Sequence, residues 1–290
     1  MNSIQIKNVT KRYKGGVTAL DDVSFSFESG KIYGFLGRNG AGKSTLINII
    51  ANRIFADSGE VLIDGQNARE NMKVHEKIFC MSEADLYAPE LKVRDHFKWI
   101  SRFYDSFDMK KALEIGERFQ LNVNKKFKGL SKGYQSIFKL TVALSLQVPY
   151  VIFDEPVLGL DANHRELFYQ LLLEDFENGE RTIIIATHLI EEVAHIIEEV
   201  VLIDRGKVLL QEDVETLLNR GFSVSGFARE VDAYCAGRNV IGQEELGSLK
   251  IAYILGKRSE LPQGSTLQTA PINLQKLFVK LTEKGGDGYE

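Results

Sequence analysis

Apolar positions recur along this chain at two spacings, and the switch between them outlines its architecture. Ile4, Ile6 and Val9 alternate with polar residues, and Val23, Phe25 and Phe27 repeat the alternation, which predicts two strands with one buried face each. Gly15-Gly16 between them marks a turn. Lys31–Leu36 reads as an apolar strand that runs into a glycine-rich loop. From about Lys43 onward, Leu46, Ile47 and Ile50 fall on one face of a helix. Val61–Ile63 is a short strand closed by Asp64-Gly65.

From about Leu91 to Leu130 the period becomes helical. Phe97, Ile100, Phe103 and Tyr104, then Ala112, Ile115 and Phe119, read as the inward positions of an inserted helical subdomain. Leu140–Leu146 continues as helix. Beyond it strands and helices alternate: strand Tyr150–Phe153, helix Glu166–Phe176, strand Arg181–Ala186, helix Glu191–Ile197, strand Val200–Ile203. That order predicts a largely parallel sheet covered on both faces. After about Leu218 the pattern loosens, with strands at Phe222–Phe227 and Leu249–Leu255, a short helix near Arg229–Cys235 and a closing amphipathic helix at Asn273–Thr282.

Composition narrows the function. With 44% hydrophobic and 26% charged residues, the 290-residue chain has the mix of a soluble globular protein with a sizeable core. The net charge of −4 lacks the basic excess of a nucleic-acid binder, so no nucleic acid is expected as a partner. Cys80 and Cys235 form no CxxC or Cys/His cluster and read as reduced structural thiols. Met1 to Tyr13 has no apolar core of a secretory signal, and no stretch approaches ~18 consecutive apolar residues, so the chain is expected not to span a membrane.

Gly37-Arg38-Asn39-Gly40-Ala41-Gly42-Lys43-Ser44 fits G-x-x-x-x-G-K-[ST] in full, between an apolar strand and a helix. Glycines let such a loop curl until successive backbone N–H groups point at a phosphate, and the helix that follows adds its positive end. Lys43 supplies a charge for β- and γ-phosphates, and the Ser44 hydroxyl is a candidate Mg²⁺ ligand. A phosphate loop alone leaves kinases and small GTPases open. Val151-Ile152-Phe153-Asp154-Glu155 narrows the choice: an apolar strand ends in two acids, with Asp154 suited to hold Mg²⁺ through water and Glu155 to orient or deprotonate an attacking water.

In this order, across about residues 3–215, the chain resembles the ABC transporter ATPase family. Tyr13 stands where that family stacks an aromatic on adenine; Gly37–Thr45 match its phosphate loop. Leu130-Ser131-Lys132-Gly133-Tyr134-Gln135 looks like the LSGGQ signature, in which Ser131 and Gly133 remain, and Gly159-Leu160-Asp161 looks like the D-loop. Asp154 and Glu155 match the metal-binding aspartate and catalytic glutamate, and His188 matches the switch histidine. Taken singly, Tyr13 also reads as a strand-end aromatic, Ser131 as a helix N-cap and His188 as a core histidine; the order and spacing carry the resemblance.

The resemblance implies an α/β fold: a P-loop NTPase ABC cassette with a parallel-sheet core, an N-terminal antiparallel β part, an inserted helical subdomain at about 84–145 and a small C-terminal α/β extension. The cassette is expected over 1–218 and the accessory element over 219–290. It also implies ATP and Mg²⁺, a second nucleotide-binding subunit, a transmembrane permease, and a place at the inner face of the cell membrane. The chain departs from the family pattern at Lys132, which replaces the first signature glycine, and at Glu83, which stands where the Q-loop has glutamine and is a candidate metal ligand. Ile272–Phe278 resembles the closing helix of drug- and peptide-exporter ATPases. The competing class is a soluble ABC-type ATPase acting on ribosomes or nucleic acid; the paired cassettes or long coiled-coil insertion usual there are not found in this sequence.

Overall fold

The computed structural model describes residues 2–284 except Glu83, Asp85, Asn178, Glu180, Glu260 and Gln263. The metal-ligand expectation on Glu83 therefore lies outside the described residues. Three sheets organise the rest. The N-terminal one is antiparallel, in the order Thr18–Glu28, Ser3–Arg12, Ser58–Ile63, Gln66–Asn67. Its register pairs Ile4 with Phe27 and Ile6 with Phe25, so the alternation in both strands faces the same core. Phe27 joins this sheet to the next through edge contacts with Tyr33 (5.0 Å between ring centres) and Phe35 (6.1 Å).

The second sheet has six strands, ordered Lys207–Asp213, Glu199–Asp204, Ile32–Leu36, Thr182–Thr187, Tyr150–Asp154, Ile78–Met81. All but the first run parallel. Every residue of Ile32–Leu36, Tyr150–Asp154 and Thr182–Thr187 is buried, which is why these strands read as unbroken apolar runs. Helices Val93–Phe103, Met109–Arg118 and Lys132–Ser145 form the inserted helical part. There Phe97 is fully buried and Ile100 and Tyr104 pack behind it, but Phe103 is 77% exposed. Phe103 lies six residues after Phe97, about a third of a turn off the buried stripe, so it stacks on Trp99 at the surface instead (6.3 Å).

The helix expected over Glu191–Ile197 is also corrected: only Ile190–Val193 is helical. Ile196 N–H bonds to Val193 O, a tightened turn that brings the chain round into the strand Glu199–Asp204. Helix Val214–Arg220 then leads into a third sheet, antiparallel, ordered Val240–Leu246, Leu249–Leu255, Gly221–Phe227, Gln268–Pro271. Helix Ala228–Cys235 covers one face with its own apolar cluster around Val224, Val231 and Ile254. On the other face Tyr253 meets the closing helix Leu274–Lys284, and its Leu277 and Phe278 join the same continuous core as Ile190 and Val193. No helix among the described residues is long and apolar enough to cross a membrane.

A buried ion-pair cluster fastens the helical part to the sheet. Asp175, on helix Ala162–Glu177, receives Lys111 from helix Met109–Arg118 and the Arg181 guanidinium, whose Nε also donates to Val148 O at 3.2 Å. Burial alone pulls Arg181 downward from its ordinary pKa, so the cation depends on that carboxylate. Asp175→Ala leaves a buried, unpaired guanidinium and is expected to cost about 3–5 kcal/mol of stability, read as a lower urea midpoint at unchanged slope.

Candidate nucleotide site

The phosphate loop is shaped by close backbone approach. A Cβ at Gly37 would lie 2.5 Å from Ile203 O, and one at Gly42 would lie 2.5 Å from Ala19 O, with Gly42 itself at φ +111°. Neither position admits a side chain, and the second lies outside the conformations L-residues favour. Gly206 N–H on Ala41 O (2.9 Å) braces the loop from behind. The helix Lys43–Ile50 starts directly after Gly42, so its unpaired N–H groups open onto the loop.

Arg38 to Thr45, Tyr13, Glu155 and His188 line one open cleft of about 630 Å³, together with Val17, Ala19 and Leu158. Lys43 is 5% exposed; its ammonium donates to Gly37 O (2.6 Å) and Arg38 O (3.4 Å) and lies 3.7 Å from Glu155 Oε1. Burial pulls its pKa down, opposed by the carboxylates of Glu155 and Asp154. Ser44 Oγ donates to Asp154 Oδ1 at 3.3 Å, which sets a hydroxyl beside a carboxylate delivered by the buried strand Tyr150–Asp154. Tyr13 is held in a turn by Val17 O (2.8 Å), with its ring 44% exposed to the cleft and its hydroxyl 3.5 Å from Thr45 Oγ1.

Glu155 sits one residue past its strand at φ +49°, a conformation a non-glycine residue adopts only when its surroundings hold it there. Its backbone N–H is fixed by Ala186 O (2.8 Å). Both carboxylate oxygens are held too. Oε2 accepts from the Thr187 hydroxyl (2.8 Å), and Oε1 accepts from His188 N–H (3.2 Å) and His188 Nδ1 (2.9 Å). Against an ionised carboxylate, Nδ1 is the nitrogen that carries the proton, leaving Nε2 for another partner. Sequence reasoning missed Thr187; a hydroxyl residue between a buried strand and the histidine was the available signal.

Ser131 and Gly133 stand elsewhere. Ser131 is exposed and caps the helix Lys132–Ser145, its Oγ accepting from Tyr134 N–H at 3.3 Å. Gly133 lies against the segment after Glu155, where a Cβ would come within 2.8 Å of Gly159 O. Neither lines the Lys43 cleft.

Curled loop, paired acids and strand-end histidine on a mostly parallel sheet have the form of a phosphate-loop nucleotide site, and comparison with known proteins gives the family. The ABC transporter family profile matches residues 20–158. The ABC transporter ATP-binding protein MJ1023 of Methanocaldococcus jannaschii is 32% identical over 75% of this chain and 80% of its own length. YtrB, an ABC transporter ATP-binding protein of Bacillus subtilis, is 26% identical over 95% of this chain and 97% of its own, a match that runs well into residues 219–290. The solved dimeric ATP-binding cassette MJ0796, in a post-hydrolysis state with ADP and Pi, is 28% identical and superposes with a TM-score of 0.66 over 73% of this chain and 98% of that one. The chain belongs to the ABC transporter ATP-binding family. It is an ATP-binding subunit of that kind and an ATPase.

Because Gly42 has no room for a methyl group, Gly42→Ala is expected to distort the loop and weaken ATP binding at least tenfold, measured by fluorescent-nucleotide titration, while far-UV circular dichroism stays native.

Proposed function

We propose that this chain is the motor of an exporter, working as one of two head-to-tail cassettes that drive a separate multi-span permease for peptides, drugs or other amphiphilic molecules. The observation that carries the reading is the division of the machinery between two surfaces. The phosphate loop, Glu155 and His188 share one cleft, while Ser131 and Gly133 lie outside it; a second copy, turned head to tail, is what brings them over a bound triphosphate.

In this reading adenine lies on the Tyr13 ring and the phosphates enter Gly37–Thr45. Lys43, already stripped of water, exchanges the carbonyls of Gly37 and Arg38 for β- and γ-phosphate oxygens, an interaction strengthened by its burial. The Ser44 hydroxyl and Asp154 carboxylate are the hard oxygen donors that suit Mg²⁺, which when bound would neutralise charge on the phosphates. Glu155, pinned by Thr187 and His188, takes a proton from the attacking water, and His188 Nε2 faces the γ-phosphate. The permease docks on the helical part around Ala84–Lys98, beside the exposed stacked rings of Trp99 and Phe103. The Lys132 form of the signature and the closing helix support export, and a peripheral place at the inner membrane face follows from the permease.

The test is retention of partners from detergent-solubilised native membranes by tagged Glu155→Gln with MgATP. A multi-span membrane protein that is retained, and lost again in Glu155→Gln/Trp99→Ala/Phe103→Ser, is the expected result. Recovery of ribosomal or chromosomal proteins, or of this chain alone, overturns the transport reading in favour of a soluble ATPase. Glu155→Gln itself is expected to hydrolyse ATP at least 100-fold more slowly than the native chain, measured by phosphate release; hydrolysis at the native rate removes Glu155 as the base.

A further inference from the structure

The His188 segment is short of its own support. Two residues after the histidine the chain makes only the single turn Ile190–Val193, too brief a helix to hold its position unaided. Two other elements hold it. On one side, Arg165 pairs with Glu192, and its Nε donates to Leu160 O at 3.0 Å, so the turn is tied to Gly159-Leu160-Asp161. On the other, Gln275 of the closing helix accepts the Glu191 N–H on its Oε1 at 3.3 Å, with Leu274 and Leu277 buried in the same core as Ile190 and Val193.

The closing helix is itself clamped from behind. Glu244, on the third sheet, accepts from Tyr253 OH (2.9 Å) and pairs with Lys276 Nζ (2.7 Å) and Lys280 Nζ (3.0 Å). Those lysines hold its carboxyl far below the usual range, at about 2, so the clamp stays charged at neutral pH. Gly221 permits close seating of this end of the chain, since a Cβ there would meet Ile272 Cγ2 at 2.6 Å. The third sheet, the closing helix and the histidine segment thus form one continuous chain of contacts ending at the 2.9 Å bond between His188 and Glu155.

We infer that Gln275 is a positioning residue for ATP hydrolysis: the C-terminal element holds the backbone of the His188 segment, and through it the His188–Glu155 pair, in hydrolytic geometry. This rests on the reading of His188 and Glu155 as the hydrolytic pair. The chain of contacts ends on the His188–Glu155 pair and meets the phosphate loop only through the 3.7 Å approach of Glu155 to Lys43, so the effect falls chiefly on kcat rather than on KM.

The experiment measures steady-state ATPase activity of the full-length chain carrying Gln275→Met, which keeps length and packing but removes the acceptor, and Gln275→Glu, which keeps an acceptor oxygen. Gln275→Met is expected to lower kcat about fivefold, the worth of one hydrogen bond, with KM for ATP unchanged within about twofold, and Gln275→Glu to recover most of the loss. In a His188→Ala background Gln275→Met is expected to add nothing. An unchanged kcat in Gln275→Met, a loss that multiplies independently onto that of His188→Ala, or a loss in KM alone overturns the inference. A native rate in His188→Ala overturns instead the reading of the hydrolytic pair. Unfolding midpoints of all variants within about 2 °C of native keep a folding defect from passing for either result.

Discussion

The site depends on how closely backbones are allowed to approach at the rim of the parallel sheet. Gly37 lies against Ile203 O and Gly42 against Ala19 O, at distances that exclude even a methyl group. That contact curls the loop and starts the helix Lys43–Ile50 directly behind it, with the positive end of the helix facing the loop. The strands on either side of this approach are set by pairing. Gly34 and Leu36 register against Ile185 and Thr187, and Asp154 registers against Ala186, so the loop, the acids and Thr187-His188 emerge at one level. A shift of one residue in any of these parallel pairs would send the functional side chains to different heights.

The electrostatics follow from the same crowding. Lys43 is buried where its charge is costly, and two carboxylates and two carbonyls offset that cost. Glu155 is equally constrained. It occupies a left-handed backbone conformation, and three residues hold it: Ala186 through its backbone, Thr187 and His188 through its carboxylate. The backbone N–H and both carboxylate oxygens of Glu155 are bonded, and these bonds hold the carboxylate in one orientation.

Much of this could be read in the sequence, for identifiable reasons. The phosphate loop, Asp154-Glu155 and His188 are written as contiguous residues beside buried strands, and buried parallel strands leave unmistakable apolar runs. What escaped has a weak local signal or none. Lys207–Asp213 was missed because an antiparallel edge strand with half its residues exposed carries mostly polar letters. Val240–Leu246, with Gly242, Gln243, Glu244 and Glu245, was missed for the same reason. Phe103 reads as an inward position by its aromatic identity, but helical phase turns it to the surface. Thr187 shows in the sequence only as a hydroxyl beside the histidine, and Gln275 carries no local pattern: each matters through a partner, Glu155 for one and Glu191, 84 residues away in sequence, for the other.

The contact of Gly133 with Gly159 O has a mechanical meaning of its own. With Ser136 also bonded to Leu158 O at 3.4 Å, the start of the helix Lys132–Ser145 lies in direct contact with the loop leaving Glu155. In the proposed head-to-tail pair, the first would lie over the neighbour's nucleotide and the second beside the chain's own. In that proposed pair each chain would act as a rocker arm pivoted between two chambers, with a shift at one end carried to the other through these contacts. Two such arms, crossed, would keep the chambers in step.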